Sequence, residues 1–259
     1  MIIVNNFLEP VWTKSERVKA FTTTRFGGVS QPPFNELNLG LNAGDVPEDV
    51  LENRSILKKC LPAEPLWLRQ VHGTAVSTPV SRLTHSTNPY EADAAVTNVP
   101  NEVLAILTAD CMPVLFASAN GEVVGAAHAG WRGLSSGVLE TTILEMCALT
   151  PGLSPNNISA WMGPAIGSKA FEVGEDVLQA FSSTPSEVIA NAFLPIKDSP
   201  GKYLANLYLL AEDRLKRAGI NSIAGGGFCT HTDRTNFFSY RRDGVTGRFA
   251  TLIWISPNA

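Results

Sequence analysis

Short apolar runs with the composition of strands alternate with longer amphipathic runs along the whole of this 259-residue chain. Runs rich in β-branched and aromatic residues predict strands, namely PLWLRQV, EVLAILTA, PVLFAS, EVVGAAH, NISAWMG and RFATLIWI. Helical spacing of apolar residues predicts helices over 45–62, with Asp45 as a candidate cap, over 133–149, and over 203–220, where Gly219 suits the C-terminal end. The alternation indicates an α+β fold.

The chain offers one candidate linker, the Pro- and Ser-rich stretch 182–200. Composition does not change across this stretch, so we expect a single domain over residues 1–259. A hydrophobic content of 44% with 17% charged residues is typical of a globular protein with a substantial core.

Charge, the amino terminus and the cysteines argue against several classes of function. The net charge of −4 gives no overall basic field, so we expect no nucleic-acid partner. The first residues, MIIVNNFLEPVW, lack the cationic segment of a signal peptide, and no apolar stretch is long enough to span a bilayer, so we expect no membrane association. The four cysteines are scattered without a CxxC pair, which indicates a reduced, cytoplasmic protein.

Residues 111–130, CMPVLFASANGEVVGAAHAG, predict a β-hairpin that turns within 118–121. A four-residue loop places Cys111 directly opposite His128, whereas a tighter turn places the two residues diagonally. Both registers keep the two side chains on one face of the sheet, because side chains alternate with a period of two. Pro113 cannot donate a backbone hydrogen bond, so the strand is expected to begin there and to leave Cys111 in a loop.

A second histidine, His72, ends another strand-like run, LRQVHGT, and is followed by Gly73, which permits close approach of a neighbouring backbone. Two imidazoles and a thiolate at strand ends, with one coordination position open, are typical of a catalytic zinc site. The alternative is that Cys111 is a small buried apolar side chain and His128 a hydrogen-bonded core histidine.

Several longer motifs occur in order between residues 22 and 248. They are TTTRFGGVS, NELNLGLNAGD, VHG, ADAAVTN, LTADCMPVLF, HAGWRG, GPAIGSKAFEVG and FFSYRRDGVTGR. In these motifs the chain closely resembles the YfiH family, also called the laccase-domain, multicopper polyphenol oxidase or FAMIN-like family. The resemblance implies a layered α/β/β/α sandwich with mixed sheets, and a zinc ion held by His72, Cys111 and His128.

The same resemblance implies chemistry on purine nucleosides: phosphorolysis of adenosine, inosine, guanosine or methylthioadenosine, and hydrolytic deamination of adenosine. Zinc chemistry suits deamination, because zinc activates water for attack on a purine carbon. The HxE…PCxxC signature of other zinc deaminases is absent from the sequence. Phosphorolysis needs cations that hold phosphate, and Arg25, Arg132, Arg241 and Arg242 lie in the motif segments. Arg132 and Arg241 are the favoured candidates, and surface ion pairs are the alternative for each arginine.

Other polar residues of the motifs are further candidates. Asn38 and Gln70 could read a purine edge or orient His72, with turn capping and a solvated strand position as their alternatives. Asp93 and Asp110 could orient ligands or move protons, or could stabilise turns. Glu172 could act as a base or bind substrate, or could cap a helix.

Three residues receive no role in the expected chemistry. Members of the resembled family often carry aspartate at the position of Asn206, so no acid–base role is assigned to it. His85 and His231 are expected in loops or at the surface, although His231 and the nearby Cys229 could form a second metal site.

Three rival functions remain open at this point. A copper-dependent polyphenol oxidase would need several imidazole-rich sites, and the chain has four histidines, although copper could occupy a His₂Cys site in place of zinc. A metal-free hydrolase could use Cys111 as nucleophile and His128 as base, on peptidoglycan precursors for example. A zinc-stabilised binding protein without catalytic activity is the third. The sequence is compatible with a monomer or a homodimer.

Overall fold

The computed structural model of the chain describes residues 3–4, 6–84 and 90–257. The strands are β1 (Ile3–Val4), β2 (Phe7–Leu8), β3 (Val18–Thr23), β4 (Pro65–Leu66), β5 (Leu68–Arg69), β6 (Val76–Ser77), β7 (Tyr90–Glu91), β8 (Ala94–Thr97), β9 (Val103–Thr108), β10 (Met112–Ser118), β11 (Val124–Ala129), β12 (Ile158–Met162), β13 (Glu172–Gly174), β14 (Phe193–Pro195), β15 (Lys202–Ala205), β16 (Ser222–Gly225) and β17 (Phe249–Ile255).

The helices are α1 (Pro47–Lys58), α2 (Pro79–Thr84), α3 (Trp131–Ser136), α4 (Val138–Leu149), α5 (Glu175–Ala180), α6 (Ser186–Ala192), α7 (Leu207–Arg217) and α8 (Tyr240–Asp243). Short 3₁₀ turns lie at Leu41–Ala43 and Pro155–Asn157. Among the described residues, no helix combines the length and the apolar character needed to cross a bilayer.

Two six-stranded sheets form the centre of the fold. The first sheet has the strand order β1-β2-β3-β17-β9-β4, and the second has the order β16-β12-β10-β11-β8-β6. Both sheets are mixed, because β4 pairs parallel with β9 in the first sheet and β6 pairs parallel with β8 in the second, while the central pairs are antiparallel. Two small sheets, β13-β15-β14 and β5-β7, lie beside them.

The two large sheets pack face to face, with helices on the outer face of each. Ile106 and Phe249 of the first sheet share one buried cluster with Leu115 and Trp161 of the second. On the outer face of the first sheet, α1 contributes Leu57 to a separate cluster. The outer face of the second sheet is covered by α4 and α7, which contribute residues such as Ile143 and Leu210. The expected α/β/β/α layering of a single mixed α/β domain is thereby confirmed.

This layering explains the composition of the central hairpin. Every residue of β10 and β11 is buried. A strand covered on both faces has no solvent side that would call for polar residues, so its sequence is a continuous apolar run. PVLFAS and EVVGAAH were therefore recognisable as strands without any alternation of polar and apolar residues.

Several local predictions are corrected by the structure. Asp45 is not the cap of α1: Val46 occupies that position, and the Asp45 carboxylate accepts hydrogen bonds from Ser30 Oγ and Asn38 Nδ2. The helix expected over 133–149 is two helices, because Gly137 has a φ of 101° and interrupts the helical backbone.

The candidate linker 182–200 is instead part of the fold, since it contains α6 and β14, and β14 pairs with β15. Asn206 caps α7 by accepting a hydrogen bond from the Leu209 backbone N–H at 3.2 Å. The φ of 90° at Gly219 suits the expected position just after that helix. His85 lies outside the described residues.

Candidate metal centre

His72, Cys111 and His128 converge at one end of the second sheet. Each contributes one potential ligand atom, and the three atoms lie within 4.8 Å of one another. Cys111 Sγ lies 3.8 Å from His72 Nε2, and the two imidazole rings are 4.8 Å apart between centroids. Within the described ranges, this is the one group of three or more His, Cys, Asp and Glu side chains close enough to hold a metal ion.

Strand register brings the thiol and the buried imidazole together. Pro113 pairs with His128, so Cys111 lies diagonal to His128 in the second of the two expected registers. Cys111 is in the bend that precedes β10, and the strand begins one residue before Pro113. The hairpin therefore delivers Cys111 and His128 to the same end of the sheet from two neighbouring strands.

A single carboxylate contacts both histidine segments. Asp93 is fully buried immediately before β8, and its side chain accepts a hydrogen bond from His128 Nδ1 at 2.8 Å. The same carboxylate accepts backbone N–H bonds from Val71, His72 and Gly73 at 3.1, 2.8 and 2.7 Å. Because Nδ1 of His128 faces Asp93, its Nε2 is the nitrogen free to face Cys111.

Glycine at position 130 leaves room for this group. A Cβ at Gly130 would lie 3.0 Å from Cys111 Sγ and 3.0 Å from His72 Cδ2, closer than ordinary packing allows. Three soft or borderline donors beside a position with no side chain match the ligand set of a zinc site with one open coordination position. The residues present therefore fit a transition-metal ion.

Electrostatic interactions in the cluster favour the charged form of the thiol. Burial acts to raise the pKa of the Cys111 thiol, but His128 and His72 outweigh it and the pKa lies well below its usual value. Burial acts to lower the pKa of His128, and the charges of Cys111 and Asp93 more than reverse this. For Asp93, the hydrogen bonds from His128 and Gly73 overcome burial, so its pKa lies below the usual range and it remains a carboxylate.

Asp110 joins the cysteine bend to the C-terminal part of the chain. Its Oδ1 accepts a hydrogen bond from Thr230 Oγ1 and its Oδ2 accepts one from the Arg241 backbone N–H, both at 2.6 Å. Its own backbone has a φ of 92°. With both oxygens engaged in contacts within the protein, Asp110 is arranged to position Cys111.

Arg132 and Arg241 are the two exposed arginines of the four candidates at this end of the molecule. Arg132 lies on α3, two residues after Gly130, with its guanidinium over the ring of Trp131 at 4.2 Å. Arg241 donates from Nη1 to the Glu172 carbonyl oxygen at 2.8 Å, and its backbone is held by Asp110. Both guanidinium groups are exposed and retain N–H donors.

Arg25 and Arg242 are engaged in holding loops together. Arg25 donates to the carbonyl oxygens of Asn35 and Arg234. Arg242, with a side chain only 4% exposed, donates to the carbonyl oxygens of Thr230, His231 and Phe237 and to the Asp243 carboxylate. These contacts favour a structural role for both arginines.

The side-chain amides of Asn38 and Gln70 are likewise engaged by the protein itself. Asn38 is fully buried, and its Oδ1 accepts the backbone N–H groups of Gly40 and Arg248 at 3.0 and 2.8 Å. Gln70 donates to the carbonyl oxygen of Leu107 at 2.8 Å and accepts from the N–H of the same residue at 2.9 Å. Each side-chain amide therefore hydrogen-bonds backbone groups at the edge of a loop or strand, where another backbone segment would otherwise be the partner.

Glu172 is not a helix cap, because it is the first residue of β13 and α5 begins at Glu175. Its side chain is 53% exposed and lies 3.9 Å from Lys202 Nζ. Cys229 accepts a hydrogen bond at Sγ from the Gly167 N–H, and neither Cys229 nor His231 belongs to a described group of three or more potential metal ligands.

Sequence reasoning passed over Arg248, which immediately precedes β17. Burial lowers the pKa of its guanidinium, while the nearby charges of Cys111 and Asp110 act in the opposite direction. Its Nη1 donates to the carbonyl oxygens of Thr246 and Gly247, and the guanidinium lies 5.9 Å from the centroid of a tyrosine ring on α8. Arg248 is the last residue of the motif FFSYRRDGVTGR, and its presence in that motif is the sequence feature that could have identified it.

Comparison with known proteins agrees with this architecture. A family model described as multi-copper polyphenol oxidoreductase laccase matches residues 19–256. The purine nucleoside phosphorylase YfiH of Escherichia coli is 47% identical over 257 residues, covering 97% of this chain and 100% of its own. A purine nucleoside phosphorylase of Haemophilus influenzae is 48% identical over 249 residues, covering 95% and 98%.

Solved structures of similar proteins have the same fold as this chain. A Neisseria meningitidis protein superposes with a TM-score of 0.88 at 46% identity, covering 97% of this chain and 100% of that one. YlmD of Geobacillus stearothermophilus superposes with a TM-score of 0.87 at 29% identity, covering 99% and 98%. The chain therefore belongs to the multi-copper polyphenol oxidoreductase laccase family, which includes the YfiH proteins.

Proposed function

We propose that this chain is a zinc-dependent purine nucleoside phosphorylase whose catalytic unit is one domain spanning residues 1–259. The observation that carries the proposal is the convergence of the potential ligand atoms of His72, Cys111 and His128. Two exposed arginines belong to the adjoining segments: Arg132 follows Gly130 by two residues, and the backbone N–H of Arg241 is bound by Asp110. The relatives named purine nucleoside phosphorylase, 46–48% identical over nearly the whole chain, supply the substrate class.

His72, Cys111 and His128 would hold the zinc ion. Zinc supplies Lewis-acid chemistry, polarising an oxygen atom of the substrate or of water. Cys111 fits this role because the two histidines favour its thiolate, the form that binds metal. Copper is the alternative ion, since imidazole and thiolate also suit it.

In phosphorolysis a phosphate oxygen bonds to C1′ of the ribose while the bond from C1′ to the purine nitrogen breaks. The bonding pair leaves with the purine, which takes up a proton, and the products are the free base and ribose 1-phosphate. The enzyme must first bind phosphate, and cationic side chains are needed to balance the negative charge of this anion. Arg132 and Arg241 are the proposed phosphate ligands, and Arg248 adds a third positive charge near Cys111.

The remaining candidates contribute less directly. Asp110 fixes the Cys111 bend and the Arg241 backbone relative to each other, which supports placing it in the catalytic machinery as a positioning group. Glu172 offers an exposed carboxylate that can accept hydrogen bonds from ribose hydroxyl groups. The contacts of Arg25, Asn38, Gln70 and Arg242 support a role in shaping the walls of the substrate site.

The proposal extends to adenosine, inosine, guanosine and methylthioadenosine as substrates and to deamination of adenosine at the same centre. Deamination replaces the C6 amino group by oxygen from water and releases ammonia. C6 and C1′ lie at opposite ends of a purine nucleoside, so the two reactions require two binding poses. We further propose a cytoplasmic location, no nucleic-acid or membrane partner, and action as a monomer or a homodimer.

A multicopper oxidation is less well supported. Such chemistry needs several copper sites rich in imidazole, and the described part of the chain holds a single group of three potential ligands with two histidines. The metal-free hydrolase would form products different from those of the proposed enzyme, and the binding protein would form none.

The proposal is tested by incubating protein of measured metal content with adenosine, with and without phosphate, and identifying every product. We expect ribose 1-phosphate only when phosphate is present, in an amount equal to adenine plus hypoxanthine, because inosine formed by deamination is itself a proposed substrate. Inosine should form whether or not phosphate is present. Adenine released equally without phosphate would identify a hydrolase. Turnover of peptidoglycan precursors with no turnover of nucleosides would favour the Cys111 nucleophile, and absence of any turnover would favour a binding protein.

A further inference from the structure

We propose that Asp93 is the positioning residue of the metal centre: one buried carboxylate orients both histidine ligands and thereby sets the metal affinity. The inference rests on the proposed metal centre and adds to it a residue that binds neither metal nor substrate. Its basis is the set of hydrogen bonds that converge on Asp93 from the His72 turn and from the His128 ring.

Asp93 is placed between the two ligand segments by strand order. In the second sheet, β8 lies between β11, which carries His128, and β6, which follows the His72 turn. Asp93 immediately precedes β8, its N–H donates to the Ala75 carbonyl oxygen, and its own carbonyl oxygen accepts the His128 N–H at 2.7 Å. Backbone hydrogen bonds therefore fix Asp93 to the segments of Ala75 and His128, independently of any contact made by its side chain.

The carboxylate organises the His72 turn through three successive N–H donors, those of Val71, His72 and Gly73. His72 has a φ of 62°, in the left-handed region that is strained for a residue other than glycine. Convergence of the three donors on one buried negative charge compensates for this strain. This turn directs His72 Nε2 toward Cys111 Sγ.

The same carboxylate selects the ligand nitrogen of His128. The proton on Nδ1 is held by Asp93 at 2.8 Å, so Nε2 keeps its lone pair for a metal. A carboxylate on the far side of a ligating imidazole also increases the basicity of the ligating nitrogen. With four donors on its two oxygens, Asp93 meets the condition under which a fully buried charge is tolerated.

The first test compares zinc affinity in Asp93→Asn and wild-type protein by competition with a chromophoric chelator, and the spectra of the Co²⁺-substituted forms. Asparagine keeps the size of the side chain but lacks the charge and turns an N–H₂ group toward donors. We expect zinc binding to weaken by about 10- to 100-fold, and the Co²⁺ spectrum to change because the imidazoles are no longer held. The matched control is Asp45→Asn, which removes a carboxylate that bridges Ser30 and Asn38 and should leave the zinc affinity unchanged.

A second measurement needs no variant. In zinc-loaded wild-type protein with ¹⁵N-labelled histidine rings, NMR should find the His128 proton on Nδ1 and the metal on Nε2. A proton on Nε2, or equal zinc affinity and an unchanged Co²⁺ spectrum in Asp93→Asn, would overturn the role of Asp93 alone. Wild-type protein that takes up no zinc would overturn the metal centre and the role of Asp93 together.

Discussion

Gly130 lies against Cys111 so closely that a Cβ on the glycine would be 3.0 Å from the cysteine sulfur. Gly130 itself has a φ of −64° and a ψ of 158°, a conformation open to any residue. The requirement for glycine is therefore steric, and it comes from the two ligands beside it rather than from the backbone.

The first prediction follows from this contact. Gly130→Ala should force Cys111 and His72 apart, because the new methyl group occupies space that both side chains border. Overpacking of this kind costs about 1–3 kcal/mol, which corresponds to a roughly 5- to 150-fold loss of metal affinity. Isothermal titration of the metal-free protein with zinc measures the effect, with Ser135→Ala, on the helix that follows Gly130, as the control. Unaltered affinity would show that the ligands do not need this space.

The second prediction concerns the thiol. Wild-type protein purified without added metal should contain about one zinc per chain, as expected for three ligands with an open fourth position. Cys111→Ala should lose most of this metal, whereas Cys147→Ala, on α4 and away from the ligand group, should retain it. Elemental analysis of folded samples decides the outcome, and full occupancy in the Cys111 variant would disprove the ligand assignment.

The third prediction concerns phosphate. Arg132→Met and Arg241→Met should raise the KM for phosphate far more than the KM for inosine, because each removes a charged donor from the anion. Loss of such a hydrogen bond costs about 1.5–3 kcal/mol, or roughly 10- to 150-fold. Arg217→Met, which breaks a surface pair with Asp213 on α7, serves as the control. Normal phosphate dependence in both variants would place the anion site elsewhere.

The sequence predicted the parts of this site that depend on local pattern. The apolar runs of β10 and β11 identified the hairpin, and Pro113 correctly indicated that Cys111 precedes the strand. The diagonal register could not be chosen in advance, because both registers preserve the face on which Cys111 and His128 lie. Distances within the ligand group depend on that choice.

Other features depend on contacts between distant segments and were out of reach. Arg132 and Arg242 are the same residue type, and both lie in motif segments. Only the folded chain shows that the guanidinium of Arg242 donates its hydrogen bonds to carbonyl oxygens of one loop. The run PLWLRQV predicted one strand, whereas the folded chain divides it between β4 and β5, which belong to different sheets. The two-residue strand β6 is too short to show any periodicity. Asp93 could be suspected of orienting ligands, but its simultaneous contact with two ligand segments arises from strand order.

The fourth prediction separates the two proposed reactions. Removal of zinc should abolish formation of inosine from adenosine, because no other group among the candidate residues is suited to activate water at neutral pH. Phosphorolysis of inosine should fall less steeply if the arginines carry most of the developing charge. Rates of both reactions are compared in protein before and after chelation, with circular dichroism as the folding control. Undiminished deamination without zinc would require Cys111 to be reconsidered as a nucleophile.

The most direct test of a zinc-dependent phosphorylase is the stoichiometry of inosine cleavage in protein depleted of metal and then reconstituted with one equivalent of zinc. We predict that the reconstituted protein forms hypoxanthine and ribose 1-phosphate in equal amounts, strictly in the presence of phosphate, at a rate well above that of the depleted protein. Hypoxanthine formed equally without phosphate, or no cleavage of inosine by the zinc-loaded protein, would contradict the account.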